Sequence, residues 1–76
     1  MPANALEQSQ LKTMGANVRR QRLAVRLTQE RLAEMADLNI RNLQKIEAGQ
    51  LNILVTTLIR IHQALGCPWE KILPKK

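Results

Sequence analysis

The sequence predicts an all-α domain, a compact bundle of five helices joined by very short turns. Three observations carry that expectation. Apolar residues recur at three- and four-residue spacing along most of the chain, and no stretch reads as a strand. Good helix N-caps and glycine stops punctuate that spacing at intervals of one short helix. The three prolines, Pro2, Pro68 and Pro74, sit near the ends, where they break no helix interior.

The first helix is expected to run to about Val25, with Leu11, Met14, Val18 and Val25 on its inner stripe. Asn4 and Glu7 have the spacing of a capping box. Residues 1–10 are therefore read as an N-terminal extension, either disordered or an early start of this helix, and the domain proper as 11–74. Thr28 is a good N-cap for a second helix that buries Leu32, Ala33 and Ala36. Asn39 caps a third, which buries Leu43 and Ile46 and stops at Gly49. The fourth spans roughly 56–65, turns Leu58, Ile61 and Leu65 inward and ends at Gly66. Pro68, favoured in a first helical turn, opens a short fifth helix carrying Trp69, Ile72 and Leu73.

At 76 residues the chain makes one domain close to the lower limit for a self-sufficient core. Chains this small usually need a staple. A disulfide is excluded because Cys67 is the only cysteine, and with His62 as the only histidine no structural metal set is available. No cofactor or small-molecule ligand is expected. Oligomerisation is the remaining common staple, so a homodimer is expected. The lone thiol fits a reducing, cytoplasmic setting. Residues 1–10 lack the apolar core of a signal peptide, and no run of apolar residues is long enough to cross a membrane.

Twelve Lys and Arg against six Asp and Glu give a net charge of +6, which suits a polyanionic partner. Trp69 is the only aromatic residue. A surface that stacks single-stranded bases needs several, so that mode of nucleic-acid binding is not expected.

Residues 27–49, LTQERLAEMADLNIRNLQKIEAG, carry the functional signal. Two short helices are joined there through Asp37, Leu38 and Asn39. So tight a turn forces a steep crossing, the geometry of a helix-turn-helix. Ala33 is small where the two helices approach, and Asp37 falls where such a turn commonly needs a left-handed residue, a conformation Asp and Asn tolerate.

From about Met14 to Leu73 the chain resembles the Cro and phage-repressor family of helix-turn-helix domains. The matching residues are Leu27-Thr28-Gln29, Leu32-Ala33, Ile46-Glu47 with Gly49, Thr57-Leu58, and Ala64-Leu65 followed by Trp69 and Leu73. The resemblance implies a lambda-repressor-like fold whose third helix reads the major groove of double-stranded DNA with its N-terminal half. Ile40, Arg41, Asn42, Gln44 and Lys45 then face base edges. Arg41 suits guanine O6 and N7, Lys45 is a less directional guanine donor, Asn42 or Gln44 suits adenine, and Ile40 a thymine methyl. Thr28 and Gln29 begin the second helix, where free N–H groups favour phosphate, and Gln29 matches a family position that holds phosphate. Arg19 and Arg31 are further backbone candidates, with Arg20 and Arg26 adding charge nearby.

Arg22 falls on the inner stripe of the first helix, where a buried guanidinium needs a partner. Glu47 is the matching acid, similar to the family's internal Arg–Glu pair. The sequence also departs from the family. The loop Gln50-Leu51-Asn52-Ile53-Leu54-Val55 lacks the basic residues that often follow Gly49, so anchoring there is expected to be weak and Leu51 or Ile53 to make an apolar contact. Arg26 replaces a turn glycine, at a cost of about 1 kcal/mol if its backbone is left-handed. His62, where the family usually has a small residue, is expected as a satisfied side chain at the core edge. Trp69, Ile72, Leu73, Leu51 and Ile53 are the expected dimer surface, with Leu54 beside them.

Catalysis is not expected: Cys67 and His62 face differently, and Glu30, Glu34 and Asp37 cluster on an exposed face without a cleft. The expected function is a sequence-specific DNA-binding transcriptional regulator, a repressor among the possibilities, acting as a homodimer on a near-palindromic operator. It is similar in size to controller proteins of restriction–modification systems and small phage regulators, with regulation expected through concentration and dimerisation. The alternative reading is an antitoxin-type module that binds a protein partner as well as DNA.

Overall fold

The computed structural model describes residues 5–74. Its elements are α1 (Ala5–Ala24), α2 (Gln29–Met35), α3 (Ile40–Glu47), α4 (Val55–Leu65) and a single 3-10 turn, Trp69–Lys71. Among the described residues there is no strand. The proposed capping residue Asn4 lies outside the described residues, and the chain is already helical at Ala5.

Local chemistry sets the helix starts. Thr28 has extended backbone, and its hydroxyl oxygen accepts the Arg31 backbone N–H at 3.0 Å. Asn39 does the same for α3, accepting the Arg41 N–H at 2.7 Å. Each cap satisfies a donor that the first helical turn leaves orphaned, worth ~0.5–2 kcal/mol. α4 follows Leu54, an N-cap position without a side-chain hydrogen bond. It ends at Gly66, whose φ of 68° suits a residue without a Cβ.

Every element contributes to one core. Val18 of α1, Leu32 of α2, Leu43 of α3, Ile61 of α4 and Ile72 after the 3-10 turn are all 0% exposed. Val25 is an exception to the expected inner stripe of α1. The helix ends at Ala24, and the chain turns at Arg26 with φ of 60°, leaving Val25 47% exposed.

The expected fifth helix is the second correction: among the described residues there are four α-helices. The Lys71 and Ile72 N–H groups bond the Pro68 and Trp69 carbonyls three residues back, at 3.0 and 2.9 Å. The carbonyl of Ile72, which a continuing helix would use, instead accepts from Asn17 Nδ2 of α1 at 3.0 Å. Pro74 follows and has no N–H to extend the series. The turn is held by tertiary contacts, with Ile72 as its plug.

α1 crosses the end of α3 at very short range. A Cβ built on Gly15 would lie 2.2 Å from the Ile46 carbonyl oxygen and 2.7 Å from that of Glu47. Only glycine permits that approach, which seats α3 against α1.

Candidate DNA-reading surface

α3 divides its residues sharply between two faces. Leu43 and Ile46 are 0% and 2% exposed and fix the helix to the core. Arg41, Asn42, Gln44 and Lys45 are exposed, while Ile40 at the helix start is half-buried and packs on the core edge. Four of the five residues expected to read bases thus share a solvent face, with Ile40 at its border. The groups available are one guanidinium, one ammonium and two carboxamides.

The turn before α3 has the conformation its crossing requires. Asp37 has φ of 55°, and the Leu38 N–H closes onto the Ala33 carbonyl at 2.7 Å. Leu32 and Ala33 are buried beneath it.

Behind the surface lies a buried polar network. Arg22 Nε donates to Glu47 Oε2 at 2.8 Å and Arg22 Nη2 to Glu47 Oε1 at 3.2 Å. Arg22 Nη1 donates to the Leu27 carbonyl at 2.8 Å. Gln29 Nε2 donates to Glu47 Oε1 at 3.0 Å. One carboxylate therefore ties α1, the start of α2 and the end of α3 together. All buried side-chain nitrogen and oxygen atoms among the described residues have a partner. The engagement of Gln29 was not legible in the sequence, which gave no signal for it beyond proximity to a polar helix start. One N–H and the carbonyl oxygen of its amide stay uncommitted in this arrangement.

The other backbone candidates sit apart from this network. Thr28 is exposed and its hydroxyl caps α2. Arg19 is exposed on α1. Arg31 pairs with Glu34 along the exposed side of α2, an arrangement that commits part of its charge.

The residues expected at a dimer surface divide into two groups. Ile72 is corrected to a core residue: at 0% exposure it has no surface to offer a second subunit. Trp69 and Leu73 remain 37% and 42% exposed, and Trp69 stacks on His62 with ring centroids 3.8 Å apart. Leu51 and Ile53 pack partly on their own core. The most open apolar side chains of that region are Leu54 and Val55, at 72% and 71%. Arg60 also escaped the sequence reading. Its Nε donates to the Ala36 carbonyl at 2.9 Å, and a polar position on an amphipathic helix gave no sign of that reach.

Two short helices joined by a tight turn, the second with a buried stripe beneath a polar face, define a helix-turn-helix domain. A family model described as helix-turn-helix matches residues 18–72. Among solved structures, the chain is similar to the restriction-modification controller protein C.AhdI from Aeromonas hydrophila. The TM-score is 0.81 and the identity 26%, covering 86% of this chain and 98% of that one. A comparison with curated proteins gives no match. The chain belongs to the Cro and phage-repressor type of helix-turn-helix family, a family of DNA-binding transcription regulators.

Proposed function

We propose that this chain regulates transcription by binding, as a homodimer, a near-palindromic DNA operator whose half-sites are read by α3. The observation that carries the reading is the split of α3 into a locked inner stripe and an outer face of Arg41, Asn42, Gln44 and Lys45. Ile40 completes that face. Arg41 offers two parallel donors to guanine, Lys45 a third contact, and the carboxamides suit adenine. Gln29, Thr28, Arg19 and Arg31 hold the flanking phosphates, which fix register and carry no sequence information. Arg22 and Glu47 orient the reader and do not touch DNA.

The dimer places its contact on the apolar residues left open near the start of α4, Leu54 and Val55, flanked by Leu51 and Ile53. Trp69 and Leu73 form a second patch. Regulation then follows protein concentration in the cytoplasm, and no cofactor or catalytic step is part of it. The similarity to a restriction-modification controller protein supports a role of that kind. A module that binds a protein partner as well as DNA is the second reading, favoured by the same exposure of Leu54 and Val55.

Arg41→Ala and Lys45→Ala test the reader. Both side chains are exposed, so the fold should persist. Each variant should lose ~1–3 kcal/mol of discrimination between the preferred duplex and a scrambled one, measured by fluorescence anisotropy. Full discrimination in both variants would remove α3 from the reading.

A further inference from the structure

Arg60, on α4, reaches across to the turn that joins α2 to α3. Its Nε donates to the Ala36 carbonyl at 2.9 Å, and its Nη2 lies 3.5 Å from Thr57 Oγ1. Ala36 is the C-cap of α2. The last carbonyls of a helix lack intrahelical partners. Around this end, the Leu32, Ala33 and Glu34 carbonyls accept from the backbone N–H groups of Ala36, Leu38 and Asp37. The Ala36 carbonyl is held by a charged donor from another helix.

That carbonyl belongs to the peptide joining Ala36 to Asp37, where the chain leaves α2. Asp37 is held at φ of 55°, a conformation that a residue with a Cβ keeps only when its surroundings fix it. The Leu38 N–H fixes the far side of the turn through Ala33, and Arg60 fixes the near side. This peptide is where the chain turns out of α2 toward α3. Arg60 is itself exposed, so its removal empties no part of the core.

We infer that Arg60 is a positioning residue for DNA reading, holding the peptide between Ala36 and Asp37 and thereby the angle at which α3 meets the groove, without contacting DNA. The inference rests on the reading of α3 as the DNA-reading helix. It ties the geometry of the reader to α4, the element that begins with the open apolar residues Leu54 and Val55.

Two variants of the full chain test it. Arg60→Met keeps the aliphatic stem and loses both donor and charge. Arg60→Gln keeps an N–H donor for the carbonyl and loses only the charge. Three quantities are read for each: hydrogen exchange of the Asp37 and Leu38 amides without DNA, the affinity ratio for the preferred duplex over a scrambled one, and the slope of log affinity against log salt. Arg60→Met should speed both amides and lower the ratio about tenfold, the order of one charge-assisted hydrogen bond, with an unchanged slope. Arg60→Gln should restore most of the ratio. A slope shallower by about one phosphate contact in both variants, with the ratio intact, would make Arg60 a phosphate ligand and overturn the inference. Unchanged exchange and ratio would overturn it equally. If Arg60→Met fails to fold, Arg60→Ala, which also lacks donor and charge, is read in its place by the same three quantities. A wild type that does not discriminate duplexes would defeat the reading of α3 instead, and amide exchange would still report whether Arg60 holds the turn.

Discussion

Glu47 accepts hydrogen bonds from Arg22 Nε, Arg22 Nη2 and Gln29 Nε2 while only 9% exposed. Two opposite charges out of water cost several kcal/mol each in desolvation, so their attraction and the added bonds do little more than offset that cost. Breaking the pair from one side is different, because a buried charge is then left alone. Arg22→Ala or Glu47→Ala should therefore each cost ~3–5 kcal/mol, a large share of the ~5–15 kcal/mol that holds a small domain together. The double variant should cost clearly less than the sum, as read from urea unfolding of all four proteins. Additive losses would mean that the two groups do not depend on each other. Arg22 was legible in the sequence because it interrupts an apolar stripe. So were the left-handed positions Arg26 and Asp37, since both stand where the turn chemistry of a helix-turn-helix asks for positive φ. The bond from Gln29 was not, because it depends on where the end of α3 lies in space.

At the scale of elements, the helices were legible wherever their signals are local. Thr28 and Asn39 announce α2 and α3 by their side chains, and Gly66 ends α4 by its backbone. Pro68 and the spacing of Trp69, Ile72 and Leu73 permit a C-terminal helix. A long-range bond from Asn17 to the Ile72 carbonyl decided otherwise, and no local pattern contains it. Gly15 carried a signal that went unread. Glycine inside a helix costs ~1 kcal/mol relative to alanine, so it calls for a packing reason. Here the reason is the crossing of α1 over α3, where a Cβ would stand 2.2 Å from a backbone oxygen. Gly15→Ala should accordingly destabilise the protein although it raises helix propensity. Forced overpacking of this kind costs ~1–3 kcal/mol, a fall in melting temperature of roughly 10 °C for a domain of this size. A rise in melting temperature, followed by circular dichroism, would show that the crossing yields and that the contact does not position α3.

For the molecule as a whole, a core to which each α-helix gives at least one fully buried large side chain leaves much apolar surface outside. Leu54, Val55, Trp69 and Leu73 are all more than a third exposed. Pairing two subunits would bury them, present two copies of α3 and double the phosphates engaged, which makes binding steep in salt. In the sequence, charge points to a polyanionic partner and size to a homodimer. Which side chains remain open for it did not follow from hydrophobicity, since Ile72 and Leu73 are equally apolar neighbours and only packing buries the first. The central claim, that paired α3 helices read a two-fold DNA site, is tested most directly by selecting bound duplexes from a random pool with the full-length protein. The account predicts enrichment of one near-palindromic sequence with half-site centres about 10 bp apart. A pool that yields no common sequence, or a single half-site without its symmetric mate, would contradict it.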